Sequence, residues 1–183
     1  MQMEFKVGDK AVVPNQGVGV VTEVKLLLMG GVEQPCYIIK LMDSGVTYHC
    51  PVGRATANNV RDVMPADRID ELYEILRDRD KPADKQTWNR RYREYTKKIT
   101  TNDPLEVAAV LRDLAVLRLG KTLSFGERKM YDRAHGLVVQ EVSAVRDVDE
   151  EVVKKELEVL FKEADEAAQN KGKVVISKKK RKS

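Results

Sequence analysis

The sequence predicts an α+β protein: a small antiparallel β-barrel over residues 1–64, a compact all-α body over 65–168, and a basic extension over 169–183. Three observations predict it. Short apolar runs broken by Gly, Asp and Asn turn signals fill the chain up to Met64-Pro65. Beyond Pro65 the apolar residues recur at helical spacing, behind good helix-start signals. The last 15 residues carry seven Lys/Arg and no acid.

In the first part, "VGDKAVVPNQGVGVVTEV", Gly30-Gly31, "CYIIKL", Asp43-Ser44-Gly45 and "VTYHCPV" read as four or five short strands with their turns. About 60 residues of this kind close most economically into an SH3-like or Tudor-like barrel, which removes most sheet edges. In "VTYHC", alternation puts Val46, Tyr48 and Cys50 on one face and Thr47 and His49 on the other. His49 is expected outside and Cys50 inside. Cys36 and Cys50 make no disulfide framework and read as buried structural thiols; a metal site with His49 lacks a third and fourth ligand.

Five helices are expected in the second part. Ile69, Leu72, Tyr73 and Leu76 make the first stripe. The second lies in "QTWNRRYREYTKK", where Trp88, Tyr92, Tyr95 and Ile99 fall at i, i+4, i+7 and i+11, with Arg90, Arg93 and Lys97 on another face. Asp103-Pro104-Leu105-Glu106 offers a cap, a first-position proline and a reciprocal glutamate to the third helix, with Val107, Leu111 and Leu114 inward. Ser124-Phe125-Gly126-Glu127 repeats the capping-box pattern before Met130, Ala134, Leu137, Val138 and Val145. Asp149 can cap the last helix, with Val153, Leu157, Leu160, Phe161 and Ala164 inward. Together they should form one bundle.

Charge is distributed unevenly. Residues 1–64 hold six Lys/Arg and six Asp/Glu, and residues 147–168 hold three and nine, so the basic tail sets the overall balance of +4 and residues 1–168 stand at −3. A broad electrostatic grip on nucleic acid is not indicated; any such contact must be local. The tail reads as a disordered basic extension with nonspecific affinity for DNA or RNA, or as a solubilising end.

Trp88, the only tryptophan, admits two readings. As the first member of an apolar stripe it is a core residue. With Thr87 as N-cap it sits in the first turn, at the rim of the bundle beside Arg90, Arg91 and Arg93. There the arginines could hold phosphate while the indole stacks where base pairs open.

Catalysis and cofactor binding are not indicated. "GVGV" lacks the helix and lysine of a phosphate-cradling loop, no Gly-x-Ser-x-Gly elbow occurs, and His49 and His135 fall in different domains. No apolar run approaches the roughly 18–20 residues of a membrane helix, and "MQMEFKVGDK" lacks a signal-peptide core, so a cytoplasmic protein is expected.

"FKVGDKAVVPNQGVGVV", "TWNRRYREY", "VLRDL" and "LSFGERKM" occur in the order seen in the CarD/CdnL family of bacterial RNA polymerase-binding transcription factors, which the chain resembles over roughly residues 4–165. The resemblance implies a Tudor-like domain docking on the polymerase β subunit and a helical domain reaching the upstream edge of the promoter bubble. It implies a monomer without cofactor, brought to the nucleoid by polymerase, that stabilises open promoter complexes. The family's minor-groove wedge carries onto Trp88, and its DNA-backbone cations onto Arg90, Arg91 and Arg93, with Lys97 on the same helix. On the barrel, Leu27 and His49 stand where some relatives have arginines that pair with acidic polymerase residues; with Thr47 they are the expected polymerase contacts. The alternative is a paralogue whose barrel docks on another protein, an adaptor with little role at promoters.

Overall fold

The structure, a computed structural model, describes residues 4–82 and 84–180, the last nine by backbone alone. Strands β1 (Lys10–Val13), β2 (Gly17–Met29), β3 (Val32–Leu41), β4 (Thr47–Pro51) and β5 (Arg61–Asp62) form one antiparallel sheet in the order β4-β3-β2-β1-β5. It encloses a core of Phe5, Ala11, Val13, Val21, Tyr37, Ile39, Leu41, Cys50 and Val60, the Tudor-like barrel that the turn spacing predicts. The β2–β3 turn is Gly30-Gly31, with φ of +62° and +83°; a two-residue turn of this kind needs left-handed backbone at both positions. A bulge between Val21 and Glu23 bends β2. Gly17–Val21 stay largely buried, whereas Thr22–Met29 are mostly exposed and pair with β3 as a hairpin arm.

Alternation in β4 holds as expected, with His49 exposed and Cys50 buried, and both cysteines are buried free thiols. Val46 departs from the expectation. It precedes β4 and is 57% exposed, so it does not share the interior with Cys50.

The helices are α1 (Ile69–Arg77), α2 (Trp88–Thr101), α3 (Pro104–Gly120), α4 (Phe125–Arg146) and α5 (Glu150–Lys180). Helix α3 contacts α1, α2 and α4, which is why Val107, Ala108, Val110, Leu111, Leu114 and Ala115 are buried on several of its sides. Its start is capped by Asp103, whose carboxylate accepts from Leu105 N at 2.9 Å, with Pro104 in the first turn. The reciprocal half of the expected box is missing: Glu106 instead pairs with Lys98 at 3.0 Å. On α4 the capping box is complete, Ser124 N donating to Glu127 and Glu127 N to the Ser124 hydroxyl. Asp149 accepts from Glu151 N at 2.8 Å at the head of α5.

Helix α5 runs past residue 169 as far as Lys180; residues 181–183 of the expected tail lie outside the described residues. Once a helix is nucleated, each further residue costs little, and "ADEAAQNK" is rich in helix formers with no proline. Lys171 also reaches Asp80 at 3.2 Å.

Barrel and bundle are tied together by polar groups. Arg61 of β5 makes a two-pronged pair with Glu141 of α4 at 2.6 and 2.9 Å, and Glu141, 5% exposed, also accepts from Met64 N. Asn102, left-handed at φ +62° where α2 meets α3, donates to Val12 O and Asn59 O and accepts from Arg61 Nε. Lys10 donates to Ala144 O, and Val18 N to the Gln140 side chain. The approach is so close at Gly17 that a Cβ there would collide with Gln140. These contacts brace the C-terminal end of α2 against the barrel.

Candidate nucleic-acid interface

Trp88 opens α2, immediately after the polar run "DKPADKQT". Thr87 has the extended backbone of a cap, φ −60° and ψ 150°, but its side chain makes no cap hydrogen bond. The indole is half-buried. It lies on Gly126 of α4, where a Cβ would come within 2.9 Å of Nε1, and meets Tyr92 edge-to-face at 5.5 Å. Trp88 is thus part wall of the bundle and part rim, and the two readings of its spacing are each half right.

The buried stripe of α2 is rotated from the expected one. Arg91, Tyr95 and Ile99 point inward, and Tyr92 is 49% exposed. Arg91 therefore does not share the exposed face of Arg90, Arg93 and Lys97 on which the sequence places it. Its Nη2 donates to Glu127 at 2.5 Å and its Nε to Gln86 O at 3.2 Å, and its guanidinium lies 5.5 Å from the Trp88 ring. Glu127, its side chain 1% exposed, also takes Lys121 at 3.0 Å on both oxygens. Burial opposes the Glu127 charge, but Arg91, the Ser124 backbone N–H and Lys121 overcome it and hold its carboxyl at about 2. The clue was visible: 88, 91, 95 and 99 also fall at i, i+3, i+7 and i+11, a core spacing that includes Arg91.

The other cations of α2 are available. Arg90 is exposed, 3.9 Å from Glu94, and Arg93 and Lys97 are exposed without a salt bridge among the described residues. Between α2 and α4 lies a cleft of about 450 Å³, with Ile99 and Met130 at its base and Trp88 and Tyr92 on its wall. Lys129 and Arg133 of α4 line it too, and Arg133 Nε donates at 2.9 Å to Asn15, a residue of the barrel's β1–β2 turn. Arg93 and Lys97 line a second depression beside it, with Asn59. Lys129, Arg133 and Asn15 were not foreseen. The spacing of 129 and 133 puts both on one face of α4, but only the packing of three separate elements sets that face and Asn15 opposite Trp88.

On the barrel, strand register puts Leu27, Thr47 and His49 on one sheet face. Leu27 pairs with Gln34, His49 with Ile38 and Thr47 with Lys40, and those three β3 residues alternate in phase. Thr47 and His49 are exposed and Leu27 is half-buried. Neighbours on the opposite face of the arm expose more apolar surface: Leu26 64%, Leu28 72% and Val24 45%. Since Cys50 points into the core and His49 away from it, the two do not share a site.

The structure is thus a five-stranded sheet domain braced against a helical domain that carries an aromatic, cation-lined cleft. Residues 5–64 match the family model described as CarD-like/TRCF RID domain, and residues 71–158 match that of CarD, C-terminal domain. The chain belongs to the CarD/CdnL family. It is 28% identical over 154 residues to a Bacillus subtilis (strain 168) protein named "Putative transcription factor YdeB", covering 82% of this chain and 97% of that one. These matches support a transcription-associated role, and the family is non-enzymatic in kind. No described helix is long and apolar enough to cross a membrane.

Proposed function

We propose that this protein binds RNA polymerase through its barrel, on the β subunit, and stabilises the open promoter complex by contacting DNA at the upstream bubble edge with its bundle. The reading adds a cytoplasmic monomer that acts by binding, with no chemical step or cofactor. The observation that carries it is the position of Trp88: a half-buried indole held on Gly126 at the head of a helix whose outer face presents Arg90, Arg93 and Lys97. A wedge must be anchored on one side and open on the other, and cations beside it hold phosphate without reading sequence. The barrel contact would use the face of Leu27, Thr47 and His49.

The exposed Leu26 and Leu28 also suit a partner other than polymerase, which is the adaptor alternative. One experiment separates the two. Open complexes formed on a promoter by the cognate polymerase are challenged with a polyanion competitor, with and without the protein. A lifetime extended by the protein supports the proposal; equal lifetimes, with no capture of polymerase, sink it in favour of the adaptor.

A further inference from the structure

The cleft beside Trp88 is larger than a wedge needs. A wedge works by filling a base step with its own ring, yet here the ring borders a hollow of about 450 Å³ running from α2 to α4. The hollow has the components of a nucleobase site: an apolar base of Ile99 and Met130, two aromatic rings, and polar groups at the end remote from Trp88. Tyr92 is 49% exposed although aromatic, so its ring is offered to a ligand. The Asn15 carbonyl oxygen is occupied by Arg133 at 2.9 Å, which turns the two amide hydrogens of Asn15 towards other acceptors.

Charge favours a nucleotide over an uncharged guest. Arg93, Lys97 and Lys129 make no salt bridge among the described residues, and Arg133 engages only the neutral Asn15. The nearby acids Glu94 and Asp132 are matched by Arg90 at 3.9 Å and Arg128 at 3.3 Å. The surplus is positive on the α4 lip of the cleft, at Lys129 and Arg133, and in the adjoining depression of Arg93 and Lys97, where a sugar–phosphate chain would run.

We propose that this cleft is a receptor for a single unpaired deoxynucleotide: the base lies against Tyr92 over Ile99 and Met130, its edge accepts from Asn15, and its phosphates meet Lys129 and Arg133. The inference rests on the DNA-contact reading above and deepens it. Trp88 opens the step, and the cleft stores the base that the opening releases. The barrel thereby contributes directly to the DNA site through Asn15.

The test uses the full chain and a fluorescent DNA duplex, fully paired or carrying one bulged 2-aminopurine. The wild type should bind the bulged duplex at least about fivefold more tightly than the paired one, the low end of what stacking one base on an aromatic contributes. Stacking should quench the 2-aminopurine, and an abasic bulge should remove the preference. Thr96→Trp, at an exposed position on α2 that lines the cleft, should abolish the preference while leaving paired-duplex affinity within about twofold. Asn15→Gly is the second variant: Asn15 has φ +56°, which glycine adopts freely, so the amide is lost without backbone strain. It should cut the preference severalfold. A preference that survives Thr96→Trp, or that an abasic bulge retains, overturns the base receptor. If Trp88→Ala weakens both duplexes while Thr96→Trp changes nothing, the DNA-contact reading stands and the receptor falls. No binding of either duplex by the wild type overturns the receptor as well.

Discussion

Arg91→Met tests whether the cation at the centre of the basic run belongs to DNA or to the fold. The wild-type guanidinium sits 2.5 Å from Glu127, with exposures of 6% and 1% for the two side chains. Removing one partner of a buried pair costs roughly 3–5 kcal/mol, because the remaining charge stays buried without compensation. Here Lys121 remains 3.0 Å from Glu127 with its side chain 48% exposed, so the lower end, about 3 kcal/mol, is expected. With a urea dependence of about 1–3 kcal/mol per molar, the unfolding midpoint should fall by about 1–3 M at pH 7. The same pair sets an acid limit. Glu127 is held down from its ordinary 4.5 to about 2 in the folded protein, so its stabilisation is complete above about pH 4.5 and is lost as pH falls towards 2. Without Arg91 the folded carboxyl rises, and stability should depend less on pH across that window. Arg93→Ala, on the exposed face, should show the reverse pattern, with an unchanged midpoint and weaker DNA binding. An Arg91→Met protein with a wild-type midpoint and a reduced salt slope of DNA binding would refute the buried-clamp account.

Three further outcomes are expected. Arg61→Ala leaves Glu141, 6% exposed at its side chain, without its cation; it should lower stability by roughly 3 kcal/mol in urea unfolding and make the barrel–bundle junction protease-sensitive. Leu27→Glu should weaken polymerase capture by on the order of 1–3 kcal/mol in a binding titration if Leu27 is central to the docking face, and wild-type capture would shift that face to Leu26 and Leu28. Deleting residues 169–183, with seven cations and no acid, should lower DNA affinity about equally for all sequences and flatten its salt dependence, leaving the unfolding midpoint of the bundle in place.

The fold was legible wherever a local rule decides the conformation. Gly30-Gly31 and Asp43-Ser44-Gly45 announced their turns, and Asp103, Ser124 and Asp149 announced helix starts, because each effect is confined to a few residues. The site was legible only in part. Arg90, Arg93 and Lys97 sit on the exposed face of α2 as their spacing suggests, and Trp88 lies half-buried at its head. Arg91 was misread because a charged residue is normally solvated, and its burial follows from Glu127, 36 positions away on another helix. Asn15 escaped notice for the same reason: its place beside α4 depends on the Arg61–Glu141 and Asn102 contacts that fix one domain on the other. In the tail, composition alone does not register a helix already running into it.

The central claim is that Trp88 acts on opened DNA, and the lifetime of polymerase open complexes with Trp88→Ala tests it most directly. The indole is half-buried against Gly126 and Tyr92, so the substitution should cost less stability than the roughly 3–5 kcal/mol of a fully buried tryptophan, and the variant should remain folded at the assay temperature. Stacking on a base is worth about 1–3 kcal/mol, which predicts an open-complex lifetime about 5- to 150-fold shorter than with the wild type, at unchanged polymerase affinity. A folded, polymerase-bound Trp88→Ala protein that sustains the wild-type lifetime would contradict the account.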